Sequence, residues 1–219
     1  MGKLVIAIDG PAGAGKSTVA KALAKELGLK YLDTGAMYRA LALAASRQGL
    51  GASDGDRAAA LAQQVDISFG EGHPPPVLLD GEDVSGLIRT PGIGELASAL
   101  STHSGVRQAL VAWQQAMVAE GGYTLEGRDV TTVVAPNAQV KVYLTASLEE
   151  RAKRRHLELG EKAPDYEEMR RQIQTRDTRD ITREDSPLTV APGAHVIESG
   201  CLTVEQVVEK IRWLVPIED

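Results

Sequence analysis

The chain has 219 residues, 43% of them hydrophobic and 25% charged, which is enough apolar content for one large packed domain and too much for a disordered chain. Its 30 acidic and 24 basic residues leave a net charge of −6, which argues against a nucleic-acid polymer or an anionic membrane as partner. A single cysteine, Cys201, excludes an internal disulfide and a thiolate metal cluster, and aromatics at 4% leave little for base-stacking platforms.

Residues 4–8 form a short apolar run closed by Asp9-Gly10, which predicts a strand buried on both faces. The run is too short for the apolar part of a secretion signal, and no later run approaches a membrane span. A cytoplasmic protein with no targeting segment is expected. A Gly-rich loop follows, and then apolar residues at helical spacing over 16–27, stopped by Gly28. Further helices are expected over 37–46 and 54–64. Between about 65 and 89 the pattern changes to strand-like pieces at 65–69 and 77–80, with Asp80-Gly81 as a hairpin turn.

Helical spacing resumes over 94–100 and 105–119, followed by strand-like 123–125, a strand at 140–144, helices at 148–158 and 166–175, a strand at 196–197 and a helix at 204–214. Strands alternating with helices predict an α/β fold: a central parallel sheet flanked by helices, with a small antiparallel insertion and ligands at the carboxyl ends of the strands.

The segment Gly10-Pro11-Ala12-Gly13-Ala14-Gly15-Lys16-Ser17 fits the G-x-x-x-x-G-K-[ST] pattern between a predicted strand and a predicted helix, the context it requires. Glycines let backbone N–H groups converge on phosphate oxygens, and the helix N-terminus adds positive potential. Lys16 then serves as a point charge for the β/γ-phosphates, and the Ser17 hydroxyl as a ligand of Mg²⁺. The guanine-reading Asn-Lys-x-Asp motif is absent, since Asn137 is the one asparagine and Ala138 follows it. The strand ending Val142-Tyr143-Leu144-Thr145 offers no metal-binding carboxylate. Asp9 and Asp33, each closing a short apolar run, are candidates to hold metal through water.

Arginines outnumber lysines 15 to 9, and eight arginines lie between Arg151 and Arg183. Arginine grips phosphate bidentately and stays charged, so such a cluster points to phosphoryl transfer. If 176–183 is helical, Arg176, Arg179, Asp180 and Arg183 share one face. Arg128-Asp129 follows a predicted strand end, where an α/β sheet places ligand contacts.

These residues, together with Asp33-Thr34-Gly35-Ala36-Met37-Tyr38-Arg39, Gly81-Glu82-Asp83-Val84-Ser85, Ile88-Arg89, Glu126-Gly127-Arg128-Asp129 and Pro187-Leu188, resemble the bacterial cytidylate kinases of the P-loop nucleoside monophosphate kinase group. The resemblance covers nearly the whole chain. It implies a single P-loop kinase domain with a monophosphate-binding region at 34–108, an antiparallel extension near 65–89 and a helical lid at 149–170. It implies ATP and CMP or dCMP as substrates, Mg²⁺ as cofactor, and a monomer.

By that resemblance Lys16, Arg128 and Arg183 are catalytic. Residues Gly10 to Thr18, namely Gly10, Pro11, Ala12, Gly13, Ala14, Gly15, Lys16, Ser17 and Thr18, bind ATP with Arg151 and Arg155 of the lid. Arg39, Arg128 and Arg183 hold the acceptor phosphate; Ser98, Arg107 and Asp129 read cytosine; Arg176 and Asp180 meet the sugar; Thr34 adds a substrate contact. Ser17 holds Mg²⁺, with Asp33 reaching it through water. Another acceptor (UMP, AMP or a small hydroxyl compound) and a non-catalytic nucleotide switch are the alternatives. Thr131 stands where many relatives have glycine, which permits φ > 0, and Gln115 where arginine is common.

Overall fold

The computed structural model describes residues 3–216; Met1 and Gly2, which precede the first apolar run, lie outside the described residues. The strands of the main sheet, β1 (Val5–Asp9), β2 (Lys30–Asp33), β6 (Tyr123–Gly127), β7 (Val140–Thr145) and β8 (His195–Glu198), run in the order β2-β6-β1-β7-β8. β1 pairs in parallel with β6 on one side and β7 on the other, and all five of its residues are buried. That environment accounts for an apolar run without polar alternation. β1 is a point where the chain departs to one side and later returns to the other, and such a point opens a crevice at the carboxyl ends of the strands.

The chain divides into two compact units, Met1–Lys30 with Gly121–Asp219, and Tyr31–Glu120. In the first unit, helix α1 (Lys16–Leu27) has the expected bounds and ends at Gly28, whose φ of 64° suits the left-handed C-terminal turn. Helices α6 (Leu148–Leu159) and α7 (Tyr166–Thr182) pack against each other, and α8 (Val204–Arg212) starts with a capping box between Thr203 and Gln206. Helix α7 continues seven residues past the sequence-based estimate. Its last two turns carry no apolar stripe because Asp177 and Asp180 are buried there by ion pairing with arginines.

In the second unit, α2 (Thr34–Arg47) packs on α4 (Pro91–Leu100), and α3 (Gly55–Ala62) on α5 (Ser104–Val118). Helix α4 starts earlier than expected because Pro91 fits the first helical turn. Strands β3 (Ile67–Phe69), β4 (Val77–Leu79) and β5 (Glu82–Asp83) form the small antiparallel sheet. Asp80 (φ 50°) and Gly81 (φ 84°) make the hairpin between β4 and β5, both in the left-handed region that this two-residue turn demands. A fork of two hydrogen bonds, each 2.8 Å, joins Arg47 on α2 to Glu82 on β5. Strand β2 was not separable as a strand in the sequence, since four residues are too few to show a period. Among the described residues no helix is long and apolar enough to cross a membrane.

Candidate active site

The loop from β1 to α1 lies tight against the sheet. A Cβ on Gly10 would stand 1.9 Å from the Leu144 carbonyl oxygen, so only glycine fits there. Gly15, at φ 90°, precedes α1 and supplies no side-chain cap, which leaves the first-turn N–H groups for an anion. Lys16 is 5% exposed, and its ammonium donates to the Pro11 carbonyl at 2.9 Å across the loop. Burial first, then the charges of Arg128 and Arg176, lower its pKa to about 7 against the opposing pull of Glu126 and Asp9. Lysine and two arginines held in mutual repulsion constitute a site prepared for polyanions.

Ser17 Oγ donates to Glu126 Oε1 at 2.5 Å. Glu126 is buried at the carboxyl end of β6, in register with Ile8 of β1. Its role was missed in the sequence because a carboxylate was sought at the end of β7. The usable signal was its place immediately before Gly127-Arg128-Asp129, at the end of the other strand that flanks β1. Ser17 and Glu126 together form a pair of hard oxygen donors of the kind Mg²⁺ takes.

Asp9 is not available to a metal. It is fully buried, and its carboxylate accepts from the Val130 N–H (2.9 Å), the Thr131 N–H (2.8 Å) and the Thr131 hydroxyl (2.5 Å). Burial pushes its pKa up to about 6 despite these three bonds. Asp9 therefore fixes the π-helical turn 130–134 that follows Arg128-Asp129. Thr131 is not among the residues at positive φ, so threonine is compatible with this backbone and adds a hydrogen bond that glycine cannot make.

Helix α7 and the loop after it gather the remaining charges. Arg128 Nε donates to Asp180 Oδ2 at 2.7 Å, while an Arg183 amino group lies 3.9 Å from Asp180 Oδ1 and another 3.7 Å from Asp129. Arg183 also donates twice to the Ser186 carbonyl, at 2.8 and 2.6 Å, and Ser186 takes a left-handed φ of 51°. Burial alone would raise the Asp180 pKa, but Arg128, Arg176 and Arg183 together hold it below the usual carboxylate range. Burial likewise opposes the charge on Arg128, and Asp180, with Glu126 and Asp177, more than offsets it. The expected residues Lys16, Arg128, Asp129, Arg176, Asp180 and Arg183 are thus brought into one charged cluster within the first unit.

The two expected lid arginines have different surroundings. Arg151 is buried, with donors directed to the carbonyls of Ala146 and Ala12 and to Asp177. The Arg155 side chain is 43% exposed and pairs with Glu158. Arg154, not singled out in the sequence, lies between them and reaches Ser199 through its hydroxyl (3.0 Å) and carbonyl (2.7 Å). It lines a cleft of 260 Å³ with Gly15, Thr18, Leu202 and Val207 beside the phosphate loop. Its spacing of three from Arg151 was the available signal.

In the second unit, Asp33 caps α2 by accepting from the Ala36 N–H (2.8 Å), and its other oxygen pairs with Arg39 (2.9 Å). Both oxygens of Asp33 thus have protein partners. Thr34 is buried at the start of the same helix, and Ser98 is buried on α4. Arg107, buried on α5, stands 5.6 Å over the ring of Tyr38 and donates to the Ser101 carbonyl at 3.3 Å. Tyr38 is a further residue that sequence reasoning missed: it orients Arg107 by a cation–π contact. Gln115 lies exposed on α5.

A family model described as cytidylate kinase matches residues 6–216. Among curated proteins, the chain is 51% identical to the cytidylate kinase of Caldanaerobacter subterraneus subsp. tengcongensis over 94% of this chain and 92% of that one. It is 50% identical to that of Citrifermentans bemidjiense (94% and 90% covered) and 44% identical to that of Bacillus cytotoxicus (97% and 96%). Among solved structures, it resembles an uncharacterized protein from Eubacterium ventriosum (TM-score 0.55, 14% identity, 97% and 98% covered). It also resembles shikimate kinase from Bacteroides thetaiotaomicron (TM-score 0.51, 13% identity, 96% and 97%), and at these identities the two likenesses show the fold alone.

Proposed function

The chain belongs to the cytidylate kinase family, and from that premise we propose that it transfers the γ-phosphoryl group of ATP to CMP or dCMP, giving ADP and CDP or dCDP. The observation that best supports this reading is the gathering of Arg128, Arg176 and Arg183 around buried Asp180 within the electrostatic reach of Lys16. A switch protein that only bound ATP would have no use for a second set of clustered cations.

The acceptor phosphate, with a second pKa near ~6, is ionised at pH 7 and needs no general base. The work left to the protein is to bring two polyanions together, cancel their repulsion and stabilise charge on the equatorial oxygens. Lys16 and the loop N–H groups receive the triphosphate of ATP. In the first unit, Arg128 and Arg183, spaced by Asp180, hold the acceptor phosphate. By the family resemblance, Asp129 of the first unit reads cytosine and Arg176 and Asp180 meet the sugar, while Thr34, Arg39, Ser98 and Arg107 are the substrate-contact residues of the second unit. The helices of the 149–170 lid exclude water during transfer.

The Ser17 hydroxyl and the Glu126 carboxylate would hold Mg²⁺, Glu126 taking the part first considered for Asp33. When bound, the ion neutralises charge on the β- and γ-phosphates. The deciding experiment is ADP release with ATP and Mg²⁺ over a panel of CMP, dCMP, UMP and AMP at equal concentration. CMP and dCMP are expected to exceed UMP by ~10-fold or more, since the wrong base leaves buried polar groups unpaired. Equal rates with UMP, or ADP release independent of acceptor, would refute the proposal.

A further inference from the structure

The backbone of Ala12, inside the phosphate loop, is held at its N–H and at its carbonyl, on two successive peptide groups, by a single ion pair. Asp177 Oδ1 accepts from the Ala12 N–H at 3.0 Å, and Arg151 NH1 donates to the Ala12 carbonyl at 3.0 Å. The same Arg151 nitrogen pairs with the second oxygen of Asp177. Arg151 Nε is anchored on the Ala146 carbonyl just beyond β7, at 3.0 Å.

The loop also rests directly on this arginine: a Cβ on Gly13 would stand 3.0 Å from the Arg151 carbonyl oxygen and 3.1 Å from its Cβ. Ala12 continues into an apolar cluster with Ala152 of α6 and Met169 and Ile173 of α7. Arg151 belongs to the first turn of α6 and Asp177 to the far half of α7, so holding Ala12 takes both helices in register.

We propose that Arg151 and Asp177 are positioning residues for the phosphoryl donor: the pair fixes the two peptide groups on either side of the Ala12 Cα, and through them the row of loop N–H groups that receives the triphosphate. Arg151 then acts on ATP through the loop rather than by touching it, and the seating of α6 on α7 is transmitted to the cradle. Three of the five N–H donors of Arg151 are committed to two carbonyls and a carboxylate, which locks the guanidinium against the loop. The inference rests on the reading of ATP as the donor.

The test compares Asp177→Asn, Arg151→Lys and the double variant by initial rates in ATP and in CMP, by binding of a fluorescent N-methylanthraniloyl ATP, and by thermal midpoint. Asp177→Asn keeps side-chain volume while removing the charge, which favours a folded variant. Each single change should raise the KM for ATP about tenfold, the loss of roughly one charge-assisted hydrogen bond, with the KM for CMP within about twofold. The double variant should be no worse than the worse single, because the two side chains act as one unit.

A raised KM for ATP in Arg151→Lys alone, with Asp177→Asn normal, would overturn the proposal in favour of direct contact. Parallel rises in both KM values tracking a fall in thermal midpoint would reduce the pair to a structural role and overturn it as well. Wild-type protein that binds the fluorescent ATP without turning over CMP would sink the kinase reading and leave the binding test of the pair intact.

Discussion

Asp180 separates Arg128 from Arg183: one oxygen accepts from Arg128 Nε at 2.7 Å and the other lies 3.9 Å from an Arg183 amino group. A buried carboxylate between the half-buried Arg128 and the buried Arg183 lets the two guanidiniums stand close without expelling each other. Its own pKa, held low by the surrounding arginines, keeps it charged throughout the physiological range.

Asp180→Asn should therefore damage the acceptor side selectively. Removing one charge from a buried network costs about 2–5 kcal/mol where the partners remain charged. A rise of ~30-fold or more in the KM for CMP is expected, with binding of the ATP analogue little changed. Titration calorimetry with CMP checks this directly, and an unaltered CMP affinity would show that Asp180 does not organise the acceptor arginines.

Lys16 leads to a prediction about protons. Its pKa of about 7 in the free protein leaves it mostly neutral at pH 8. A triphosphate at the loop favours the ammonium form and returns its pKa toward the usual lysine range, so binding takes up a proton. Calorimetry of ATP binding at pH 8 in buffers of different ionisation enthalpy should give an uptake of roughly 0.5–1 proton. At pH 6 the uptake should be small, because Lys16 is already charged. Lys16→Met should abolish the uptake at pH 8.

Thr131 and Asp9 yield a stability prediction with a fixed sign. The Asp9 pKa rises from 3.8 unfolded to about 6 folded, so its favourable contribution is complete below pH 3.8 and is lost as pH rises through 6. The Thr131 hydroxyl moderates that loss by donating to the ionised carboxylate. Thr131→Val should destabilise more at pH 8 than at pH 5, with a difference of about 1–2 kcal/mol in urea unfolding, and Thr131→Ser should restore most of it. Equal losses at both pH values would mean the hydroxyl does not act on the charge of Asp9.

The fold was legible wherever burial imposed a period. Lys16–Leu27 has the expected bounds because one face is apolar and Gly28 ends it, and β1 was visible as an apolar run. The second half of α7 was not, since ion pairs rather than apolar contacts bury Asp177 and Asp180, and such partners lie far away in sequence. The same reason separates the site residues. The phosphate loop announces itself by local spacing, whereas Glu126, Arg154 and Tyr38 gain meaning only when the sheet and helices bring Ser17, Ser199 and Arg107 to them. Asp9 and Asp33, at the ends of short apolar runs, were indistinguishable by position; one proved to brace a turn and the other to cap a helix.

Arg154 and Arg155 provide the last test, because neighbours in sequence have opposite surroundings. Arg154 makes two hydrogen bonds to Ser199 and lines the cleft beside Gly15 and Thr18. Ser199 in turn donates to the Thr145 carbonyl at 3.0 Å and approaches the Ala14 carbonyl at 3.3 Å, tying the end of β7 to the phosphate loop. Among the described residues Arg155 pairs with Glu158 alone, an exposed contact of a kind worth about 0–1 kcal/mol. Arg154→Ala should raise the KM for ATP about tenfold through loss of its part-buried charge-assisted bonds, and Arg155→Ala should change it by less than about twofold. Initial rates over an ATP series at saturating CMP separate the two, and a larger effect from Arg155 would move the donor contact to the outer face of α6.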